Sequence, residues 1–509
     1  MPPISPQPEG SPQPNVGLGS LALLPLRFWA LVPLTGIGAG LAAGLLMALL
    51  RAVQHLAWPA RGADFLTAVQ QAGPAHRVVI LAGAGVIVAL ARWAMSLRKG
   101  GHGGEVAEAI WFRAGHLPVL RTLANAVTSI VIVGMGASLG REAAPKQTGA
   151  VWAGVLSHLA GLPPAQRRLL AACGAGAGIA AVYNVPFGGA LFAVEVLLGS
   201  LSLPLVPPAL CATLLATATA WLFLPMQPTY QVPFYPAPPS LLAWAVPAGP
   251  LAGLAAVLYI RLIAWADARK PRGWAVLAAP VGVFAGLGAL AITLPQILGN
   301  GRGVVQLAFT GQLAVPLLTL LVVLRPLATA ACLGSGAPGG LFTPTITFGA
   351  VLGGLAGAAW AWLWPGVPIG ACAVIGAGAM LAASTQGPIS AIVLLLELTR
   401  RLDTLMVPLM LAVAGAVLTA RLIEARSIYS CRIHLGRAEA AGRSDDDAIP
   451  AISSAARYTE LLHALLTAPR LRVVDEAGAT IGAVAAAEVV EPPAGAGPLE
   501  VATARDFAA

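Results

Sequence analysis

Gly334-Ser335-Gly336-Ala337-Pro338-Gly339-Gly340-Leu341-Phe342-Thr343-Pro344 packs four glycines and two prolines into eleven residues, directly after an apolar run at 315–333. No continuous helix passes through such a stretch, because proline lacks an N–H and glycine costs the most backbone entropy. A flexible backbone here can turn its N–H groups inward, and Pro344 suits the opening of the next helix, whose first N–H groups lack partners anyway. At an offset of 200 residues lies Gly140-Arg141-Glu142-Ala143-Ala144-Pro145. That offset pairs Gly140 with Gly340, Glu142 with Phe342, Gly149-Ala150-Val151 with Gly349-Ala350-Val351, and Gly154 with Gly354. An offset of 202 carries Gly174-Ala175-Gly176-Ala177 onto Gly376-Ala377-Gly378-Ala379, Ala180-Ala181 onto Ala382-Ala383, Pro186 onto Pro388 and Glu195 onto Glu397. Small-residue matches are cheap, but a proline and an acidic residue at one shared offset are not. Broken segments at matching places in two halves point to an inverted-repeat transporter fold with its binding site where the repeats meet.

The composition around these loops agrees. Of 509 residues, 57% are apolar and 10% are charged, whereas a soluble protein is about one-quarter charged. Gly (58) and Pro (42) make up roughly a fifth of the chain, which suits close-packed and interrupted transmembrane helices. Mean hydropathy is +0.80. The chain reads as an all-α polytopic membrane protein, and soluble enzyme classes are excluded. Apolar runs fall at 31–50, 78–97, 125–139, 169–183, 274–294 and 404–423, while 186–200 and 388–399 are shorter than the ~20 residues of a full span. Backbone breaks at membrane depth persist only when buried in protein or lining a water-filled cavity, so the short segments suggest a pathway.

Net charge is +9. The basic residues punctuate apolar runs (Arg98-Lys99, Arg167-Arg168, Arg269-Lys270-Pro271-Arg272, Arg400-Arg401), as interface anchors do, so no nucleic-acid partner is expected. The five cysteines are scattered, with no metal spacing and no disulfide framework. Residues 1–19 read as a Pro-rich disordered lead, 20–436 as the membrane body with repeats about 30–225 and 240–435, and 437–509 as a more polar tail.

Three segments carry chemistry. Glu142 stands just before a helix beginning near Pro145, where unpaired N–H groups and a partial positive charge attract an anion. Its carboxylate is a permanent cap, a partner for Arg141, or a tethered rival of a mobile anion that leaves the site when protonated. His102, in Lys99-Gly100-Gly101-His102-Gly103-Gly104-Glu105, either donates to an anion or caps the next helix, with capping slightly favoured. Tyr429 follows the last long apolar run, where interfacial tyrosines gather. No nucleophile–base pair and no metal cluster appears, so neither an enzyme nor a cofactor is expected.

Together these residues resemble the CLC family of chloride channels and chloride/proton antiporters, over roughly residues 30–435. Gly140 to Gln147 looks like the segment that carries the family's gating glutamate, and Gly334 to Pro344 is similar to the family's GSGxPGGxFxP. Gly101-His102-Gly103 falls at the first anion loop and Tyr429 at the anion-facing tyrosine. The resemblance implies an antiparallel inverted repeat with many tilted and discontinuous helices. It implies gating by Glu142 in the loop of Gly140, Arg141 and Pro145, and anion binding by His102, Gly340, Leu341, Phe342 and Tyr429. Chloride would be the transported ligand, with protons as a second cargo of some members, and helix-end partial charges in place of a bare cation would let it bind yet leave. A homodimer in lipid, in a plasma or bacterial inner membrane, is also implied.

Departures from the pattern bear on mode. Ala143-Ala144 stands where the family usually has Gly-Pro, and His102 replaces a serine in a loop that is one residue short. Many antiporters of the family carry a proton-passing glutamate at the position of Val196, which cannot hold a proton. The expectation therefore tilts to a channel, with a chloride/proton antiporter as the alternative. A cation transporter using Glu142, Glu195 and Glu397 as ligands is less favoured, since Glu195 and Glu397 read as structural carboxylates. Leu471 to Gly482 reads as two short strands around a turn, giving a small α/β cytosolic tail with a partial CBS-like segment at about 455–509.

Overall fold

The computed structural model describes residues 24–58, 64–97, 105–400, 404–423, 426–432, 451–453, 470–474 and 480–485. His102 and the lead at 1–19 lie outside the described residues, as does most of the tail. Within residues 1–433, the first of two compact units, the chain is built of helices. The first half comprises α1 (Leu26–Ala57), α2 (Phe65–Gln71), α3 (Pro74–Ser96), α4 (Val106–Phe112), α5 (Val119–Gly134), α6 (Ala143–Leu159), α7 (Pro164–Tyr183), α8 (Pro186–Leu191) and α9 (Val206–Ala220). After α8 the helix continues as a π-helical segment, Phe192–Leu197. The second half comprises α10 (Pro239–Ala268), α11 (Ala275–Thr293), α12 (Arg302–Phe309), α13 (Val315–Gly334), α14 (Phe342–Leu363), α15 (Ile369–Thr385), α16 (Pro388–Thr399) and α17 (Met406–Ile423).

From α3 to α9 and from α11 to α17 the halves run in the same order of long and short helices. Eight helices among the described residues are long and apolar enough to cross a membrane, while the segments Pro186–Leu197 and Pro388–Thr399 are shorter, as their sequence lengths predict. Local chemistry explains the boundaries. Proline occupies the first or second position of α3, α7, α8, α9, α10, α13 and α16, where its missing N–H removes no helical hydrogen bond. The repeat also appears in the backbone: α7 and α15 both end on a residue in the left-handed region, Asn184 and Gln386, each with φ 58°.

Packing relies on small residues, because lipid offers no hydrophobic drive for helix association and backbones must approach closely instead. Gly36 and Gly40 of α1 lie against the carbonyls of Ala212 and Ala216 in α9, where a Cβ would collide. Gly249 and Gly253 of α10 meet the carbonyls of Ala412 and Ala416 in α17 in the same way. One helix of each half, α3 and α11, packs across the junction, and so do α8 and α16. Large apolar side chains such as Leu45, Val79, Leu258 and Leu422 remain exposed on helix faces, as lipid-facing residues do.

The second unit, within residues 434–509, contains strands β1 (Ala451–Ser453), β2 (Arg470–Val474) and β3 (Thr480–Ala485) in the order β1-β2-β3. β1 runs parallel to β2 with Ile452 opposite Val473, and β2 runs antiparallel to β3 with Arg472 opposite Ala483. The two strands read around the 471–482 turn are thus paired. Residues 454–469 and 486–509, where helical pieces of the CBS-like segment are expected, lie outside the described residues.

Candidate functional site

The two Gly/Pro-rich loops meet. The Gly140 N–H donates to the Gly340 carbonyl at 2.7 Å and the Gly340 N–H donates to the Gly140 carbonyl at 2.8 Å, forming one antiparallel bridge between the halves. A Cβ on Gly140 or Gly340 would run into the Glu142 carboxylate, so glycine at both positions leaves the room in which that side chain rests. The helices that follow, α6 and α14, start at Ala143 and Phe342. Pro145 and Pro344 therefore sit at the third helical position, and the helices open two residues earlier than read from sequence. The first four N–H groups of a helix lack partners, so the proline is equally well tolerated there.

Glu142 stands at the N-terminal boundary of α6, but its side chain does not cap that helix. It reaches into the other half. The Phe342 N–H, first in α14, donates to Glu142 Oε1 at 2.7 Å. The Tyr183 and Thr343 hydroxyls lie 3.1 and 3.2 Å from Oε2, and they are 2.6 Å from each other. Glu142 is only 3% exposed. The Arg141 guanidinium lies over the Tyr183 ring, 5.1 Å from its centroid. A carboxylate oxygen thus fills a seat built of a helix N-terminus and hydroxyl donors, a combination that suits any small anion. Of the roles read from sequence, a cap on its own helix is overturned, because the nearest donors belong to α7 and α14.

Tyr429 belongs to a short helical stretch at 428–432. It is 5% exposed, edge-on to Phe192 at 6.1 Å between ring centroids, with Lys146 Nζ 4.8 Å from its ring centroid. An interfacial belt tyrosine would be open to the bilayer surface; this one is enclosed. Leu341 and Phe342 are buried at the start of α14. The structure thus joins Gly140, Glu142, Gly340 and Phe342 in direct contact, with Arg141 and Leu341 beside them.

A cavity of about 660 Å³ lies beside this place, sharing Arg141 and Tyr183 with it, with Asn184, Arg51 and Arg302 also in its wall and Asp64 as its acidic member. A wall richer in arginine than in carboxylate raises the local anion concentration. Among the described residues no group of three or more His, Cys, Asp or Glu side chains is placed to hold a metal ion.

A family model described as voltage gated chloride channel matches residues 79–421. The chain belongs to that family. It is 34% identical to a putative chloride channel protein, ClcB-like, of Ralstonia nicotianae over 427 residues, which is 79% of this chain and 95% of that protein. It is 32% identical to the H(+)/Cl(-) exchange transporter ClcA of Cronobacter sakazakii over 312 residues, covering 58% of this chain and 66% of that one. Among solved structures, a slow cyanobacterial Cl⁻/H⁺ antiporter superposes with a TM-score of 0.71 at 23% identity, over 82% of this chain and 99% of the other. A eukaryotic CLC transporter gives a TM-score of 0.63 at 18% identity, over 91% of this chain and 87% of the other. Both likenesses speak for the fold. The protein is a multi-pass membrane member of the voltage-gated chloride channel family.

In this family member Glu195 and Glu397 have a reciprocal arrangement. Glu195, in the π-helical segment after α8, accepts from the Ile389 and Ser390 N–H groups of α16 at 3.1 and 2.6 Å. Glu397, in α16, accepts from the Phe187 and Gly188 N–H groups of α8 at 3.1 and 2.6 Å. Each half caps a helix of the other, as expected of structural carboxylates. Val196, beside Glu195, is buried.

Sequence reasoning missed three residues of this voltage-gated chloride channel relative. Tyr183 ends the apolar helix α7 and Thr343 lies inside the motif as an unremarked position; both touch Glu142. Lys146 is 7% exposed and pairs with Glu105 at 3.6 Å. Arg432 links Glu105 (3.3 Å) to Asp267 (3.2 Å), and Lys270 closes on Asp267 at 2.6 Å. The signal for Lys146 was available: a charge within the apolar body is expensive unless paired or functional.

Proposed function

We propose that the protein moves chloride or a similar small anion along a path whose gate is the Glu142 carboxylate, and that the movement is passive. The observation that carries the reading is the seat of Glu142 at the Phe342 N–H. Carboxylate and halide both want helix-end N–H groups and hydroxyls, so they compete for it, and protonation weakens the tethered competitor. When the carboxylate leaves, an anion takes its place. Leu341, Phe342 and Tyr429, with the His102 loop, complete the expected ligand set, in which no bare cation need hold the ion too tightly. Lys146 stands behind the Tyr429 ring with its charge shared with Glu105. Passive movement is favoured by Val196, which holds no proton, and by Glu195, which is engaged in capping α16.

Coupled exchange of chloride for protons is the second reading. It is favoured by relatives at 30–32% identity that are named H(+)/Cl(-) exchange transporters. Purified protein in liposomes separates the two. An outward chloride gradient drives uphill proton movement through an exchanger, whereas the passive reading requires chloride efflux with no proton flux. A homodimer, with one path per subunit, accompanies either reading, and the tail is proposed to face the cytosol. The cation-transporter reading loses its ligands, since Glu195 and Glu397 are occupied by backbone N–H groups.

A further inference from the structure

We propose that the hydroxyls of Tyr183 and Thr343 form a latch that holds the Glu142 carboxylate closed and sets how often it lets go. The latch rests on the reading of Glu142 as the gate. Both hydroxyls address the same oxygen, Oε2, at 3.1 and 3.2 Å, while the Phe342 N–H holds Oε1. The carboxylate thus has one fixed backbone donor and two side-chain donors. The backbone donor belongs to the family motif, whereas the side-chain donors are residues of this chain that no sequence reading assigned a role.

The geometry makes the latch reversible. Tyr183 and Thr343 are 2% and 1% exposed, and a buried hydroxyl left without a partner costs free energy. Were each bonded only to Glu142, its departure would orphan both, and the gate would be locked. The two oxygens are 2.6 Å apart, however, so on release one hydroxyl donates to the other and neither is left without a partner. Three short contacts share two hydroxyl protons, and the proton that points at Oε2 in the closed state points at the neighbouring hydroxyl in the open one. No heavy atom of the pair has to move.

Tyr183 is held firmly enough to serve as such a fixed point. It is the last residue of α7, with Asn184 in the left-handed region after it. Its carbonyl accepts from the Thr229 hydroxyl at 3.1 Å. The Arg141 guanidinium covers its ring, and the Phe342 ring packs at 5.5 Å from it. Thr343 is fixed as the second residue of α14. Both are positioning residues: they act on the anion through Glu142.

Chloride efflux from liposomes containing the full chain tests the latch. Y183F keeps the ring and removes one oxygen. We expect its efflux to exceed wild type by about tenfold, the weight of one hydrogen bond to a charged group. T343V is expected to act in the same direction and T343S to restore the wild-type rate. In an E142A background, where nothing is left to latch, Y183F is expected to change the rate by less than about twofold. A purely structural role for Tyr183 would carry the same effect into both backgrounds. Efflux of Y183F at or below the wild-type rate, or an equal effect with and without the Glu142 side chain, overturns the latch. If E142A itself runs like wild type, Glu142 does not limit flux, and the gate reading falls with the latch; if E142A is faster but Y183F is not, the latch alone falls. Should Y183F not fold, T343V against T343S, with and without E142A, is read by the same criteria.

Discussion

Gly140 and Gly340 exchange both of their backbone hydrogen bonds, at 2.7 and 2.8 Å, across the junction of the two halves. Their Cα faces border the same object, the Glu142 carboxylate, so the absence of two side chains creates the room in which it rests. Gly340→Ala is expected to leave the backbone bridge intact and to push the flexible end of Glu142 out of its seat. The variant should then pass chloride like a protein with its gate removed. Chloride efflux from liposomes measures this; a rate below wild type, with the protein folded, would contradict it.

Glu142→Gln is expected to imitate the protonated gate. An amide cannot carry the negative charge that competes with chloride, so anion flux should persist while its response to pH, and any proton coupling, disappears. Flux recorded over a series of pH values checks the outcome. A variant as pH-responsive as wild type would show that Glu142 is not the gate.

The reciprocal caps of Glu195 and Glu397 predict matched losses of stability. Truncation of either to alanine strips two N–H groups at a helix start of their acceptor, at about 0.5–2 kcal/mol, as for the loss of a helix cap. Both helices form the α8–α16 contact between the halves, so the two variants should melt earlier by similar amounts. Thermal unfolding in detergent reads this directly, and an unchanged melting temperature for Glu195→Ala would free that residue for another role.

Tyr429 has two separable parts. Tyr429→Phe retains the ring between Phe192 and Lys146 and loses only the hydroxyl proposed to face the anion. Chloride affinity by calorimetry is expected to fall in this variant by about tenfold, one hydrogen bond to a charged group, while stability holds. Tyr429→Ala should lose both.

Gly253→Val introduces branched bulk where α10 meets the Ala416 carbonyl of α17. Overpacking of this kind costs about 1–3 kcal/mol, and the change should lower thermal stability with little effect on the flux of whatever protein remains folded. The equivalent contact of α1 and α9 at Gly40 predicts the same for Gly40→Val.

What the sequence disclosed follows from how unusual each signal is. Glycine and proline at this density inside apolar runs have few structural uses, so the meeting of the loops at 140 and 340 was foreseeable, as were the short segments at 186 and 388. Glu195 and Glu397 read as structural in the comparison with the family, whose proton-passing glutamate falls at Val196 instead. Tyr183 gave no such sign. It closes a run of alanine, glycine and valine, and its partners Glu142 and Thr343 stand 41 and 160 residues away in sequence. Contacts at that separation are made by tertiary packing, which periodicity and composition do not encode. The belt reading of Tyr429 failed for the same reason: its position after an apolar run is local, but its burial is set by α6 and the segment after α8.

The central claim is that the Glu142 carboxylate fills an anion seat at the start of α14. Crystals of wild type and of Glu142→Ala, both soaked in bromide, test it through anomalous scattering. We predict a bromide peak within hydrogen-bonding distance of the Phe342 nitrogen in the alanine variant and none there in wild type. A variant map without bromide beside Phe342, or a wild-type map with bromide and carboxylate sharing the spot, would contradict it.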